Sequence, residues 1–342
     1  MSVSTTTRAI VLAACLAVVF AWRSAGPVQA QVDVLPAPGF HHLHLNSTNP
    51  DLAIAFYAKE FPSTSKTTWA GQPALKSPNN VFVLFERVEM PPATQPQTAV
   101  WHFGWHVTNE RQAMDRMRKD GVTLLPLYTT EEGGTVNLNS DTWPGSGGVL
   151  GLTKAGIAEA KAKGVKPAGG AGFAYIRGPD DAMIEVQGDM PAERFNHVHM
   201  FQTDPFCAQL WYQKHLNVAP PQGRRGATAP VRTEDNCRVP RAADTTWPAL
   251  EVDGMYRSPS AGVTFGDVAM NWYIAQNDRP LVSTRGHLAD HIALSVANLD
   301  AWVAKLRGEG VKFLKEPYAL GDTRAVMIEG PSREALELVE VK

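Results

Sequence analysis

The feature that most constrains this sequence is an internal repeat of a strand-like stretch followed by a helix-like stretch. The first copy occupies Gly39 to Phe61, and a shift of 155 residues carries it without a gap onto His197 to Leu216. Histidines, prolines and tyrosines coincide in the two copies, as when His42 falls on His197. Self-similarity of this kind indicates repeated structural units. The chain must therefore fold into modules that resemble one another.

The first copy reads as a strand, a turn and a helix. His42 and His44 alternate with Leu43 and Leu45, so the imidazoles share one face of a strand and the leucines share the other. Asn49, followed by proline, is typical of a helix N-terminus. The pattern predicts imidazoles that face whatever the strand encloses, while His41 falls on the opposite face.

A second strand and helix unit begins at Trp101 and recurs after a shift of 189 residues. This shift places His102 on His291, where the second copy begins with the letters DHIALSV. Each half of the chain then closes with a Gly-Pro turn and a strand that carries one acid among apolar neighbours, Glu185 in the first half and Glu337 in the second. A carboxylate on the inner face of a strand needs a partner that offsets its desolvation.

The repeats predict two domains with a boundary near Pro191. A chain of 342 residues is long for a single core, so two domains are also the default from length. Residues 1–30 carry an apolar run and small residues suited to signal-peptide cleavage, which predicts export to the periplasm or outside the cell. The expected parts are the signal peptide at 1–30, a domain at 31–190 with a long loop at 129–172, and a domain at 191–342 with a loop at 220–261.

Charge and composition exclude some partners. The 32 basic and 34 acidic residues include no basic block, so a nucleic-acid partner is not expected.

The N-terminal segment has two alternative interpretations, a lipoprotein cleavage site ending at Cys15 and a retained membrane anchor. If the signal peptide is cleaved instead, no membrane contact is expected. A homodimer is an open alternative to a monomer.

Removal of residues 1–30 leaves two cysteines, Cys207 and Cys237. Export permits a disulfide between them. The sequence favours instead a small buried thiol at Cys207, because this residue lies within the repeated helix.

Three inward positions are shared by the two halves, two histidines and one glutamate in each. Two imidazoles and a carboxylate suit a divalent metal such as iron, manganese, nickel or zinc, with coordination positions left open. His44, His106 and His199 are interpreted as core residues or as groups that support the ligands. The expected metal ligands are His42, His102 and Glu185 in the first half, and His197, His291 and Glu337 in the second.

These stretches resemble the vicinal oxygen chelate superfamily, which includes glyoxalases, extradiol dioxygenases, fosfomycin-resistance proteins and bleomycin-binding proteins. The most specific likeness runs from Asp290 to Val296 and continues to the closing strand that ends in ELVE. The resemblance implies an α+β fold of four βαβββ modules, paired into two domains, each with a curved mixed sheet that encloses a cleft. It also implies metal ligands from the first strands of paired modules and from a last strand, at the six positions above.

Two further positions follow from the resemblance. Glyoxalases of the superfamily commonly supply a fourth ligand from the last strand of the first module, where this chain has Glu86. Extradiol dioxygenases carry a tyrosine about ten residues before the metal carboxylate, where this chain has Tyr175 in the first half and Met327 in the second. Glu86 and Tyr175 are therefore the candidate catalytic residues.

The resulting hypothesis is a metal-dependent, glyoxalase-like lyase or isomerase that acts on a small substrate with adjacent oxygens through an enediolate. One alternative is an extradiol-type ring-cleaving dioxygenase. Another is a non-catalytic protein that binds or sequesters a small molecule, although such a groove has no need of repeated histidines and glutamates. Tryptophans at 101, 105, 143 and 211 are candidates for a pocket wall, with core packing as their commoner role.

Overall fold

Each module begins with a long strand whose histidines lie near the middle of a sheet.

The computed structural model describes residues 35–93, 96–125, 128–131, 134–137, 162–163, 173–188, 190–219, 232–239, 260–275 and 280–341. Residues 36–342 group into one compact unit. None of the helices in the described part of the chain is long and apolar enough to cross a membrane.

The first two modules contain a helix and the strands that follow it. In the first module these elements are β1 (Gly39–Ser47), α1 (Pro50–Glu60), β2 (Ser65–Trp69), β3 (Gln72–Lys76) and β4 (Phe82–Arg87). In the second they are β5 (Val100–His106), α2 (Glu110–Lys119), β6 (Leu124–Leu125), β7 (Tyr128–Glu131), β8 (Gly134–Asn137), β9 (Phe173–Arg177) and β10 (Met183–Gln187).

The last two modules repeat this order. The third comprises β11 (Arg194–Gln202), α3 (Pro205–Leu216), β12 (Ser260–Phe265) and β13 (Val268–Ile274). The fourth comprises β14 (Ala289–Val296), α4 (Leu299–Gly308), β15 (Phe313–Leu320), β16 (Thr323–Glu329) and β17 (Ala335–Glu340). The described elements confirm the predicted α+β class built from repeated modules.

The modules pair across the two halves of the sequence. An eight-stranded sheet, called here the first sheet, has the order β15-β16-β17-β14-β1-β4-β3-β2. A seven-stranded sheet, the second sheet, has the order β12-β13-β11-β5-β10-β9-β6. Strands β7 and β8 form a separate two-stranded hairpin. The first module therefore pairs with the fourth, and the second module pairs with the third.

This pairing corrects the expectation that each half of the sequence forms its own sheet. The domains expected at 31–190 and 191–342 each contribute one module to each sheet, because β1 pairs antiparallel with β14 and β5 pairs antiparallel with β11. The chain passes between the second and third modules near the expected boundary at Pro191. Residues 1–30 and most of the two long loops lie outside the described residues.

Asparagine caps start three of the four α-helices in the described residues. The side chain of Asn49 accepts the Leu52 N–H at 3.2 Å, and Asn109 and Asn298 make the equivalent bond at 3.0 Å. Such caps contribute about 1 kcal/mol each. They fix the point at which each first strand gives way to its helix, so the histidines stay on the strand.

The core lies between the helices and the outer faces of the sheets. Tyr57 of α1 packs against Phe85 of β4 and stacks on Trp105 of β5, with ring centroids 5.7 and 5.5 Å apart. Tyr212 of α3 packs against Trp272 of β13 at 4.7 Å. The aromatic core therefore lies on the helix-facing side of each sheet, and the histidines and glutamates lie on the opposite face.

Cys207 and Cys237 form a disulfide in the structure. The expectation of a buried free thiol at Cys207 is therefore wrong. The segment at 232–239 returns to α3, which brings the two sulfurs together although 30 residues separate them.

Candidate metal centres

Three histidines and a glutamate meet on the inner face of the first sheet. The candidate ligand atoms of His42, His44 and His291 all lie within 4.8 Å of one another. Glu337 Oε2 lies 3.4 Å from His42 Nε2 and 3.7 Å from His291 Nε2. This group is called the first-sheet site. Metal bonds of about 2.0 to 2.2 Å produce ligand separations in this range.

Two atoms of the first-sheet site are buried without a hydrogen-bond partner, His42 Nε2 and Glu337 Oε2. Burial of an unpaired polar atom costs about 1–3 kcal/mol, and more when the group is charged. A divalent cation would satisfy both atoms, because a neutral imidazole and a carboxylate oxygen are ordinary metal donors. The residues present therefore fit the group that the sequence predicts.

A one-residue β-bulge precedes the metal-facing histidine in each of the four first strands. The pairing of β1 with β14 skips His41 on one strand and Asp290 on the other. The pairing of β11 with β5 likewise skips Asn196 and Trp101. An extra residue on one strand locally breaks the alternation of faces. The bulge therefore places each of these residues beside the histidine that follows it.

Three of the four bulge residues hydrogen-bond the next histidine at Nδ1. Asp290 Oδ1 lies 2.6 Å from His291 Nδ1, and Asn196 Oδ1 lies 3.0 Å from His197 Nδ1. His41 Nδ1 lies 2.7 Å from His42 Nδ1. His41 is buried in this position, so the expectation that it faces away from the site is wrong. The ordinary period of two does not reveal a bulge.

The second sheet carries an equivalent group, called the second-sheet site. His102, Glu185, His197 and His199 are all buried, and their candidate ligand atoms lie within 4.8 Å of one another. Glu185 Oε2 lies 2.9 Å from His102 Nε2, 3.7 Å from His197 Nε2 and 3.8 Å from His199 Nδ1. One carboxylate oxygen thus faces all three imidazoles.

Two glycines leave room for the second-sheet site. A Cβ added at Gly104 would overlap the His197 ring, which lies directly across from it on β11. A Cβ added at Gly262 would overlap the amide of Asn271. Asn271 Nδ2 lies 3.1 Å from His199 Nε2. Gly104 therefore leaves room for the His197 ring, and Gly262 leaves room for the Asn271 amide that contacts His199.

Each glutamate accepts a hydrogen bond from a tyrosine, although the two tyrosines come from different strands. Tyr175 of β9 donates to Glu185 Oε2 at 3.1 Å. Tyr318 of β15 donates to Glu337 Oε1. The sequence pointed to Tyr175 through its spacing from Glu185. Tyr318 was missed because Met327 holds the corresponding position and the phenol comes from the preceding strand.

A cavity of about 250 Å³ opens onto the first-sheet site. Its wall combines the site histidines and Glu337 with apolar residues such as Trp69 and Leu84, and with the charged residues Arg285 and Lys315. Glu86, predicted as a catalytic residue, is exposed and lines this cavity, and its carboxylate accepts a hydrogen bond from Gln72 at 3.0 Å. Strand β4, from which the resemblance predicts a fourth ligand, thus places the apolar Leu84 and the carboxylate of Glu86 in the cavity wall.

Burial controls the charge of the first-sheet histidines. It lowers the pKa of His42 well below the usual value, helped by the neighbouring His41, His291 and His44. It lowers the pKa of His44 to about 3 and that of His41 to about 4. These three rings are therefore neutral at pH 7, and a neutral imidazole is the form that binds a metal.

The fourth imidazole of this cluster behaves differently. Burial lowers the pKa of His291, but the hydrogen bond to Asp290 and the nearby carboxylate of Glu337 raise it by more, so its pKa lies above the usual value. Burial raises the pKa of Glu337, and the nearby His291 imidazole together with the hydrogen bond from Tyr318 more than reverses that effect. The carboxylate is therefore ionised, as metal binding requires.

The structure brings the six predicted ligands together in two groups that differ from the predicted ones. His42 lies with His291 and Glu337, and His197 lies with His102 and Glu185. The expected triads within each half, His42 with His102 and Glu185, and His197 with His291 and Glu337, are wrong. The reason is the pairing of β1 with β14 and of β5 with β11.

The tryptophans have separate roles. Trp105 is fully buried and stacks on Phe61, while Trp101 packs beside His102 in the second-sheet site. Trp211 lies on α3 against Tyr212, and Trp143 lies outside the described residues. The tryptophan in the wall of the first-sheet cavity is Trp69, which was not among the predicted pocket residues.

Comparison with known proteins agrees with this architecture. A family model described as Glyoxalase/Bleomycin resistance protein/Dioxygenase superfamily matches residues 194–338. No curated protein matches the sequence.

Two solved structures are similar to nearly the whole chain. Glyoxalase I from Zea mays superposes with a TM-score of 0.55 at 14% identity, covering 89% of this chain and 92% of that one. A candidate dioxygenase from Bacillus subtilis superposes with a TM-score of 0.52 at 10% identity, covering 90% of this chain and 86% of that one. At such identity the likeness establishes the fold alone.

Proposed function

Because residues 194–338 match the family model of the glyoxalase/bleomycin resistance protein/dioxygenase superfamily, we propose that the chain is a metal-dependent enzyme of this superfamily whose active site is the first-sheet site. The reaction is a glyoxalase-like lyase or isomerase step on a small substrate with two neighbouring oxygens. His42, His291 and Glu337 would hold the divalent cation, and His44 would be available as a further donor.

One observation carries this proposal. His42 Nε2 and Glu337 Oε2 are buried, face each other at 3.4 Å and have no hydrogen-bond partner. A groove that binds only through apolar contacts has no need of such atoms. The cavity of about 250 Å³ beside them has room for a small molecule rather than for a polymer. These features support a metal-dependent reaction over simple sequestration.

A bound divalent cation acts as a Lewis acid toward substrate oxygens and stabilises negative charge on them, an effect of several kcal/mol. The chain supplies the other parts. Glu86 stands in the cavity wall, where its carboxylate takes the proton from the carbon next to the carbonyl. Gln72 donates to that carboxylate and limits its rotation.

Tyr318 and the apolar wall complete the site. Tyr318 donates a hydrogen bond to Glu337 Oε1, and the other carboxylate oxygen, Oε2, faces the imidazoles. Trp69, Leu84 and Leu320 line the cavity and exclude water from the carbon skeleton of the substrate. Water exclusion strengthens each electrostatic interaction that acts on the substrate.

The test combines metal analysis with proton exchange. Mass spectrometry of the purified protein should find a divalent metal, and the metal-loaded protein should exchange the C–H proton next to the carbonyl of small α-hydroxy ketones in D₂O, as followed by NMR. Glu86→Gln should abolish that exchange while the metal content stays unchanged. Protein that retains no divalent metal after incubation with manganese, nickel, zinc or ferrous iron would refute the proposal.

A ring-cleaving dioxygenase is the second candidate, and the second-sheet site favours it. There Tyr175 donates to Glu185, which faces His102 and His197. Two histidines and one carboxylate form the triad typical of non-haem iron oxygenases. Oxygen uptake by the ferrous protein with catechols would support this candidate, and its loss in Tyr175→Phe would assign it to the second sheet.

Export to an oxidising compartment also remains part of the proposal. The Cys207–Cys237 disulfide supports it, because disulfides persist mainly in such compartments.

A further inference from the structure

The two candidate sites differ in the side chain that the bulge presents to the histidine. In the first-sheet site the acceptor at His291 Nδ1 is the carboxylate of Asp290, at 2.6 Å. In the second-sheet site the acceptor at His197 Nδ1 is the amide oxygen of Asn196, at 3.0 Å. The shapes of the two side chains are nearly the same. Their charges are not.

An acceptor at Nδ1 fixes the proton on that nitrogen and leaves the Nε2 lone pair for a metal. In both sites Nε2 is the nitrogen that faces the glutamate, with His291 Nε2 and His197 Nε2 each 3.7 Å from the carboxylate oxygen. A charged acceptor polarises the ring more than a neutral amide does, because charge-assisted hydrogen bonds are stronger. Removal of such a supporting group typically lowers metal affinity by about 10 to 100 fold.

We propose that Asp290 in the first-sheet site and Asn196 in the second-sheet site set the cation affinity of each site. Asp290 would make the first-sheet site bind divalent cations more tightly than the second-sheet site. Asp290 and Asn196 are positioning residues that act through His291 and His197. The inference rests on the proposed function in one respect, which is that both sites take a divalent cation.

The surroundings of Asp290 keep its carboxylate in place. Asp290 Oδ2 accepts the Gly286 N–H at 2.8 Å, and Arg285 donates to Oδ1. Gly286 has φ of +83°, a conformation that suits glycine. The Arg285 side chain is 47% exposed, whereas that of Asp290 is 9% exposed. Solvent therefore screens the arginine charge more than the carboxylate charge, and His291 still experiences a negative neighbour.

The test exchanges the two side chains. Asp290→Asn is made in a Glu185→Gln background, in which the second-sheet site lacks its carboxylate. Asn196→Asp is made in a Glu337→Gln background, in which the first-sheet site lacks its carboxylate. Cobalt(II) is the probe, its affinity is measured by competition with a chelator, and its visible absorption reports the ligand field.

Asp290→Asn should weaken cobalt binding to the first-sheet site by about 10 to 100 fold, and Asn196→Asp should tighten binding to the second-sheet site by a similar factor. Both should shift the cobalt absorption band. Arg285→Met removes a cation that pairs with Asp290 and lies 3.2 Å from His291 Nδ1, and it keeps the Asp290 carboxylate, so the cobalt affinity should not fall.

Affinities that change less than about twofold in both exchanges would overturn the inference while leaving the proposed function standing. Absence of cobalt binding in both backgrounds would overturn the proposed function and the inference with it. Should Asp290→Asn fail to fold, as judged by circular dichroism, Asn196→Asp decides the matter alone. A gain of affinity there is a result that a purely structural role for the bulge residue does not produce.

Discussion

The first-sheet and second-sheet sites are built from the same elements and differ in a few side chains. Both take three histidines from two central antiparallel strands and a glutamate from a neighbouring parallel strand. The first-sheet site has Asp290 and His41 on its bulges, whereas the second has Asn196 and Trp101. The repeated backbone thus fixes where the ligands stand. The bulge residues and the tyrosines decide what surrounds them.

The comparison shows that the repeated modules keep the positions of the candidate ligands more strictly than the side chains that surround them. Ala293 stands across from His42, where the second sheet has Gly104 across from His197. Tyr318 reaches Glu337 from β15, where the second sheet uses Tyr175 of β9. One scaffold can therefore hold two sites of unequal function.

The largest expected effect is on catalysis. Glu337→Gln should lower activity by at least about 100 fold, because the loss of a ligand exceeds the loss of a supporting residue. Glu185→Gln is the matched change in the second sheet and should leave activity on α-hydroxy ketones within about threefold, since that site is not assigned the reaction. Steady-state kinetics of both variants decides between the sheets. Equal losses would contradict the assignment.

The next effect concerns a covalent difference between the modules. Cys207 of α3 is bonded to Cys237, while the corresponding residue of α1 is the exposed Leu52. The double change Cys207→Ser and Cys237→Ser should lower the free energy of unfolding by about 3–4 kcal/mol, as expected for closure of a loop of this length. Urea denaturation measures it. A reducing agent should destabilise wild type and leave the double variant unaffected.

A buried acid in the fourth module, Glu334, predicts a pH-dependent stability. Burial raises the pKa of Glu334 from 4.5 to about 7, although Tyr212 and the Ser332 N–H donate to its carboxylate and lower it in part. The corresponding residue of the second module is Ala182.

The direction of the pH effect follows from these pKa values. Between about pH 4.5 and 7 the folded protein holds a proton that the unfolded chain has released, so stability falls as pH rises, by on the order of 3 kcal/mol. Urea denaturation at pH 5 and pH 7.5 should show a smaller difference for Glu334→Gln than for wild type. Identical differences would show that Glu334 does not titrate in this range.

The smallest effect tests the close approach of the central strands. Gly104→Ala should cost about 1–3 kcal/mol, because the new methyl group overlaps the His197 ring and the Glu185 backbone carbonyl, and cobalt binding at the second-sheet site should weaken. Ala293→Gly, the matched change in the first sheet, leaves His42 in place and should cost about 1 kcal/mol through backbone entropy. Thermal unfolding and cobalt titration measure both. Unchanged binding in Gly104→Ala would show that His197 is not a ligand.

Local patterns predicted much of this molecule. The alternation of His42 and His44 with leucines specified β1, and the asparagine before proline specified the start of α1. The repeats identified the four modules and six candidate ligands. These features depend on contacts between residues that are close in sequence, or on comparison of one module with another.

Other features depended on tertiary contacts that leave no local signal. Nothing in β1 distinguishes β14 from β5 as its neighbour, so the ligands were grouped incorrectly. The bulge that turns His41 inward is a property of strand pairing. Tyr318 occupies a position that is not repeated. The one available hint for Asp290 and Asn196 was that a polar residue precedes the histidine in both strands.

The central claim is that His42, His291 and Glu337 close around one divalent cation. Anomalous X-ray diffraction from crystals grown with manganese or zinc tests it directly. We predict an anomalous peak within about 2.0 to 2.3 Å of His42 Nε2, His291 Nε2 and Glu337 Oε2. A fully loaded crystal with no peak between these three atoms would contradict the claim.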